Sequence, residues 1–191
     1  MSSGHFELRR LEALSNTVFG VAMTLLAYQA PREKFAGGDP QWHEIWHVYG
    51  AFVSTLLLSF IVAGMFWYSH QQRLAYSSHA GRSEVIGNLF FLLSIILLPM
   101  TCGLYGNNYD SPNVTTLYGF NLWLIALFNT ALWALAVAPR GDWLKLATPA
   151  FSFVLFTLAA LVCLVEPHWP KFIWPVGFLS PVISAWVEKR R

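Results

Sequence analysis

Charge is scarce in this chain. Lys, Arg, Asp and Glu make up 12% of its 191 residues, about half the 25% of an ordinary soluble domain, while hydrophobic residues reach 55%. So few polar groups cannot clothe a water-exposed surface, and the composition points to a bilayer. A net charge of +2 gives no electrostatic reason for a nucleic-acid partner. Cysteine is rare as well: Cys102 and Cys163 lie in apolar runs, no metal-ligand spacing surrounds them, and both read as small buried hydrophobes. Phosphate-binding glycine loops, a nucleophile elbow, a Cys/His array, internal repeats and low-complexity tracts are all missing. Neither an enzyme nor a resident cofactor or fixed metal is therefore expected.

Long apolar runs take up what remains. A bilayer core takes about 20 apolar residues per helix, and six segments qualify: residues 11–30, 48–68, 85–105, 116–138, 146–165 and 172–187. The expected fold is all-α, a single transmembrane domain over residues 1–191 with six transmembrane helices. Pro175 and Pro181 fall inside the last segment and predict a kink or tilt. Arg9 and Arg10 are followed by Glu12, with no small-x-small site closing the run, so the first segment is expected to be a retained span rather than a signal peptide.

Cations set the expected orientation. Arg9, Arg10, Arg73, Arg82, Arg140, Lys145, Lys189, Arg190 and Arg191 fall on the side of the termini, and only Arg32, Lys34 and Lys171 on the other. The positive-inside rule then puts both termini in the cytoplasm of a multi-pass protein of the cell membrane. Trp42, Trp46, Trp67, Trp143, Trp169 and Trp174 lie near span ends and read as interfacial anchors. None of the ten acids is placed at a span's midplane, which weighs against a carboxylate-coupled transporter. His43 and His47 are spaced to share a helix face but lack a third ligand, and His70 is expected to bond a helix end or a neighbouring span.

The first span carries the most information. At about 100° per residue, Thr17, Val21, Thr24 and Tyr28 fall within about 60° of one another, while Val18, Phe19, Ala22, Met23 and Leu26 cover the other faces. A polar seam of this kind suits a helix that lines an aqueous path. The alternative has Thr17 and Thr24 bonded back to carbonyls of their own helix, with Val21 packed on a neighbour.

Several motifs in register resemble the transmembrane protein 175 family of potassium channels in its short bacterial form. The family's signature, Arg, three residues, then Phe-Ser-Asp before an apolar helix with a Thr-Leu-Leu step, reads here as Arg10, Leu14-Ser15-Asn16 and VFGVAMTLL from Val18 to Leu26. WYSHQQ from Trp67 to Gln72, GNLFFLLSIILLP from Gly87 to Pro99 and Tyr118-Gly119 follow in family order. Leu14 and Asn16 depart from the family's Phe and Asp. Loss of that carboxylate removes a charge-assisted hydrogen bond, so the signature network of Arg10, Ser15 and Asn16 is expected to be looser or rewired.

The resemblance implies a homotetramer in bacterial inner membrane lipid, with four copies of the first helix around a central pore and no TVGYG filter. It places Val21 at a hydrophobic constriction and Thr24 in the pore. Leu25 and Tyr28 extend the lining toward the outer mouth, and Thr17 shares the seam. Potassium is the implied permeant, with no fixed site, other monovalent cations being further permeants at modest selectivity. Two other classes stay open on the residues themselves: a six-span secondary transporter for a small ion or solute, and a structural or lipid-binding membrane protein.

Overall fold

The structure is a computed structural model, and it describes residues 8–32, 39–77, 80–166 and 168–179. Five long helices cross from end to end: α1 (Leu8–Tyr28), α2 (Trp42–Tyr76), α3 (Arg82–Asn107), α4 (Pro112–Val137) and α5 (Ala147–Val165). Among the described residues these five are long and apolar enough to span a membrane. After α5 comes a short helix, α6 (Pro170–Ile173), that passes into a 3-10 turn over Trp174–Leu179. The expected sixth span, 172–187, therefore has only its first part described, and Pro181 with residues 180–187 lies outside the described residues.

Polar residues set the helix ends. Glu44 and Glu84 each turn back from the third helical position, and their carboxylates accept the backbone N–H of Gln41 and Gly81, both at 2.7 Å. Each carboxylate satisfies a donor that the helix leaves unpaired and sits at the positive end of its dipole. The other described acids also lie toward helix ends or in connections. α2, with 35 residues, runs beyond the 48–68 segment at both ends, because polar turns continue a helix that hydropathy alone truncates.

α3 stands at the centre, against α1, α2 and α4, and α5 covers the far side of α4. The core joins Phe19 and Leu26 of α1 to Val62 and Phe66 of α2, Phe91 and Ile95 of α3, Leu122 and Ile125 of α4, and Phe156 of α5. Lipid tails are as apolar as these side chains, so hydrogen bonds and close approach must supply much of the helix adhesion. Ser59 and Tyr118 bond at 2.8 Å between α2 and α4, Trp133 Nε1 donates to Ser69 at 2.9 Å, and Asn121 joins α4 to Thr101 and the Ser94 carbonyl of α3. Cys102 and Cys163 are free and buried, as expected.

Two expectations are corrected. Arg73 is no loop cation: it lies within α2, buried between His70 and Asn88, so it does not count toward orientation. Trp174 is not an interfacial anchor. It is 0% exposed and sets its ring edge-on to Tyr105 and Tyr118, with centroids 5.5 and 5.0 Å away, because the turn after α6 folds back into the bundle. Trp42, Trp46, Trp143 and Trp169 are exposed near helix ends.

Candidate functional site

α1 buries Leu11, Ser15, Phe19, Ala22 and Leu26. On a helical wheel these residues centre about 150° from the seam of Thr17, Val21, Thr24 and Tyr28. Burial along α1 follows a 3.6-residue period with that seam uncovered: Val21 is 52% exposed, Leu25 43% and Tyr28 70%, and Thr17 and Thr24 are exposed as well. The subunit thus leaves open the face of α1 that carries the hydroxyls of Thr17, Thr24 and Tyr28.

Both hydroxyls donate within their own helix, Thr17 Oγ1 to the Ala13 carbonyl at 2.9 Å and Thr24 Oγ1 to the Val21 carbonyl at 2.8 Å. This back-bonding was one half of the alternative considered for the seam. The other half does not hold among the described residues, where Val21 stays 52% exposed rather than packed away. A hydroxyl that has given away its proton presents only lone pairs outward, the polarity a cation requires.

At its N-terminal end α1 is held by two sets of bonds. The Asn16 amide oxygen accepts from Trp67 Nε1 at 3.0 Å and from the Gln71 amide, so the residue that replaces the family's Asp keeps an acceptor role without a charge. On the buried side Ser15 Oγ donates to the Leu11 carbonyl at 2.7 Å and accepts from Asn88 Nδ2 at 3.2 Å. Asn88 Oδ1 in turn accepts from Arg73 at 3.1 Å, and Arg73 also meets His70 Nδ1 at 3.0 Å. One amide of α3 thereby ties α1 to α2. Of the expected signature network, Ser15 and Asn16 are brought into these bonds; Arg10 is exposed, as is Leu14.

Sequence reasoning missed Gln71, Arg73 and Asn88 as partners of this end of α1. WYSHQQ and GNLFF were visible as motifs, but which of their residues face α1 depends on helix rotation. The opposite end of α1 is held by α3: Asn107 Nδ2 donates to the Gln29 carbonyl at 3.3 Å, and Gln29 Cβ would lie 2.7 Å from a Cβ at Gly103. Among the described residues no three His, Cys, Asp or Glu side chains gather to hold a metal.

Comparison with known proteins bears on this arrangement. Residues 10–99 match the family model described as the endosomal/lysosomal potassium channel TMEM175. A potassium channel of Streptomyces collinus is 29% identical over 134 residues, 66% of this chain and 63% of the relative, so the chain spans less than two thirds of that protein's length. The fold matches the crystal structure of a lysosomal potassium-selective channel TMEM175 homolog from Chamaesiphon minutus, with a TM-score of 0.81 over 95% of this chain and 98% of that one, at 17% identity. Through residues 10–99, and with a relative and a fold that agree, this membrane-embedded chain is similar to the TMEM175 potassium channels.

Proposed function

We propose that this chain is one of four identical subunits of a potassium channel, with four α1 helices around a central pore and the remainder of residues 172–187 completing a sixth crossing. The observation that carries this reading is the opposition of the two α1 faces among the described residues, one sealed into the subunit core and the other exposed along Thr17, Val21, Thr24 and Tyr28. Positive-inside orientation supports cytoplasmic termini in a bacterial inner membrane. With Arg73 set aside as buried, Arg9, Arg10, Arg82, Arg140 and Lys145 still outnumber Arg32 and Lys171 among the described cations.

Four Val21 side chains form the narrowest collar. A cation passing them sheds water against hydrocarbon that returns no ligand, so the collar closes by drying. One turn outward, four Thr24 hydroxyls, their protons committed to Val21 carbonyls, offer oxygen lone pairs that offset part of this loss. Rings of fixed carbonyls play no part, so potassium is favoured over sodium only as far as its water is less costly to remove, and selectivity is modest.

Potassium flux from liposomes holding the purified protein tests the reading. Val21→Asn keeps the collar wet and is expected to raise flux about tenfold, which corresponds to ~1.4 kcal/mol of barrier, with weaker discrimination against sodium. Flux and selectivity that stay at the parent level after this substitution would refute the constriction.

A further inference from the structure

A groove opens on the flank of the subunit between α2, the end of α3 and the turn after α6. Its volume is about 300 Å³, and Leu57, Leu58, Ile61, Tyr109, Lys171 and Trp174 line it. On the α2 side its wall is apolar over Leu57, Leu58 and Ile61. Ser54 and Thr55 also border it, but each gives its proton to a carbonyl of its own helix, Gly50 and Ala51 respectively, at 2.9 Å. The slot thus offers no hydroxyl donor from α2 and suits hydrocarbon. Its rim differs: Lys171 Nζ stands 4.9 Å from the Tyr109 ring centroid and 5.5 Å from that of Phe172, and among the described residues no carboxylate pairs with it.

We propose that this groove binds an anionic phospholipid, with one acyl chain in the slot and the phosphate at the Lys171 ammonium. An empty slot would forfeit dispersion contacts along its whole lining, so hydrocarbon of some kind fills it. The cation selects which kind. An apolar side chain from a second copy would press against Lys171 and leave its charge desolvated without a counter-ion, whereas a phosphate meets it with a charge-assisted hydrogen bond. Tyr109 and Phe172 hold the ammonium over their ring faces by cation–π attraction, which limits its rotamers before lipid arrives. Lys171 follows α5 at the end of the bundle where α1 finishes, so with cytoplasmic termini the lipid belongs to the outer leaflet. The site depends on membrane embedding and not on ion conduction.

Bound lipid provides a test that is separate from flux. The purified full chain is equilibrated in detergent with equal amounts of phosphatidylglycerol and phosphatidylcholine of the same acyl chains, and retained lipid is counted by mass spectrometry. The parent protein is expected to retain phosphatidylglycerol over phosphatidylcholine by about fivefold, the ratio one Lys beside an anionic headgroup supports. Lys171→Gln is expected to bring that ratio near one with total lipid kept, Lys171→Arg to preserve it, and Leu57→Trp to reduce retention of both lipids. Equal retention by the parent, or an unchanged preference in Lys171→Gln, overturns the proposal. So does crosslinking to a second subunit from a benzophenone attached at Leu57→Cys that is equal with and without added lipid, because a second copy would then occupy the slot.

Discussion

Asn16 shows what a neutral acceptor does where the family signature has a carboxylate. Its oxygen serves both Trp67 Nε1 and the Gln71 amide, and a charged oxygen in the same place would make each of these bonds about twice as strong. Asn16→Asp is therefore expected to raise the thermal unfolding midpoint in detergent by several degrees. Asn16→Leu, which removes two exposed hydrogen bonds worth ~0.5–1.5 kcal/mol each, is expected to lower it. Identical midpoints for the three proteins would remove Asn16 from the set of residues that hold α1. Beside it, Asn88 uses both ends of one amide to join Ser15 and Arg73, so the hydrogen bonds of the buried guanidinium go to a neutral oxygen and a ring nitrogen. The seam of α1 was legible in the sequence because hydroxyls recurring at helical spacing need no partner to be recognised. Arg73 and Trp174 were not, since a cation or a tryptophan near a span end reads the same whether it faces water or the core.

Helix positions depend on where backbones come close. On α3, a Cβ at Gly103 would stand 2.7 Å from Gln29 Cβ and 2.9 Å from its Oε1, and one at Gly106 would stand 3.0 Å from Phe52 Cα. Two glycines one turn apart thus let α1 and α2 rest on the same stretch of α3. The Gln29 contact is with Cβ, which no rotamer change relieves, so an added methyl displaces the end of α1 itself. Overpacking of this kind costs ~1–3 kcal/mol. Gly103→Ala is expected to alter potassium flux several-fold by moving the outer part of the α1 seam, while far-UV circular dichroism stays unchanged. Parent-like flux in a folded Gly103→Ala protein would mean that the Gln29 clamp does not set the pore mouth. Five spans were readable from hydropathy because each carries an apolar stretch of about the length a bilayer core takes. Their ends were misjudged by several residues where Glu44 and Glu84 cap turns that hydropathy counts as loop. Close approaches such as that of Gly103 leave no trace in composition, since they depend on which helix faces the glycine.

At the scale of the whole molecule, the open face of α1 has two unlike flanks. Ala13, Gly20 and Ala27 recur every seventh residue on one side of the seam, and Leu14 and Leu25 stand on the other, all of them exposed in the subunit. Repetition at seven residues keeps one row in line along a pair of packed helices. In the proposed cyclic tetramer each subunit would offer a different patch to each neighbour, so the leucine flank of one α1 would seat against the small-residue flank of the next, with the seam left facing the axis. A Cβ at Gly20 would meet nothing within 4 Å in the subunit, so a large side chain there harms no contact of the isolated chain but fills the space a neighbour's leucine needs. Gly20→Leu is accordingly expected to keep its helical content, and even to gain up to ~1 kcal/mol of helix propensity, while native mass spectrometry in detergent shows tetramers giving way to smaller species and potassium flux falls with them. Retention of the full tetramer by Gly20→Leu would place the α1 helices apart from one another and end the case for a pore built from this face.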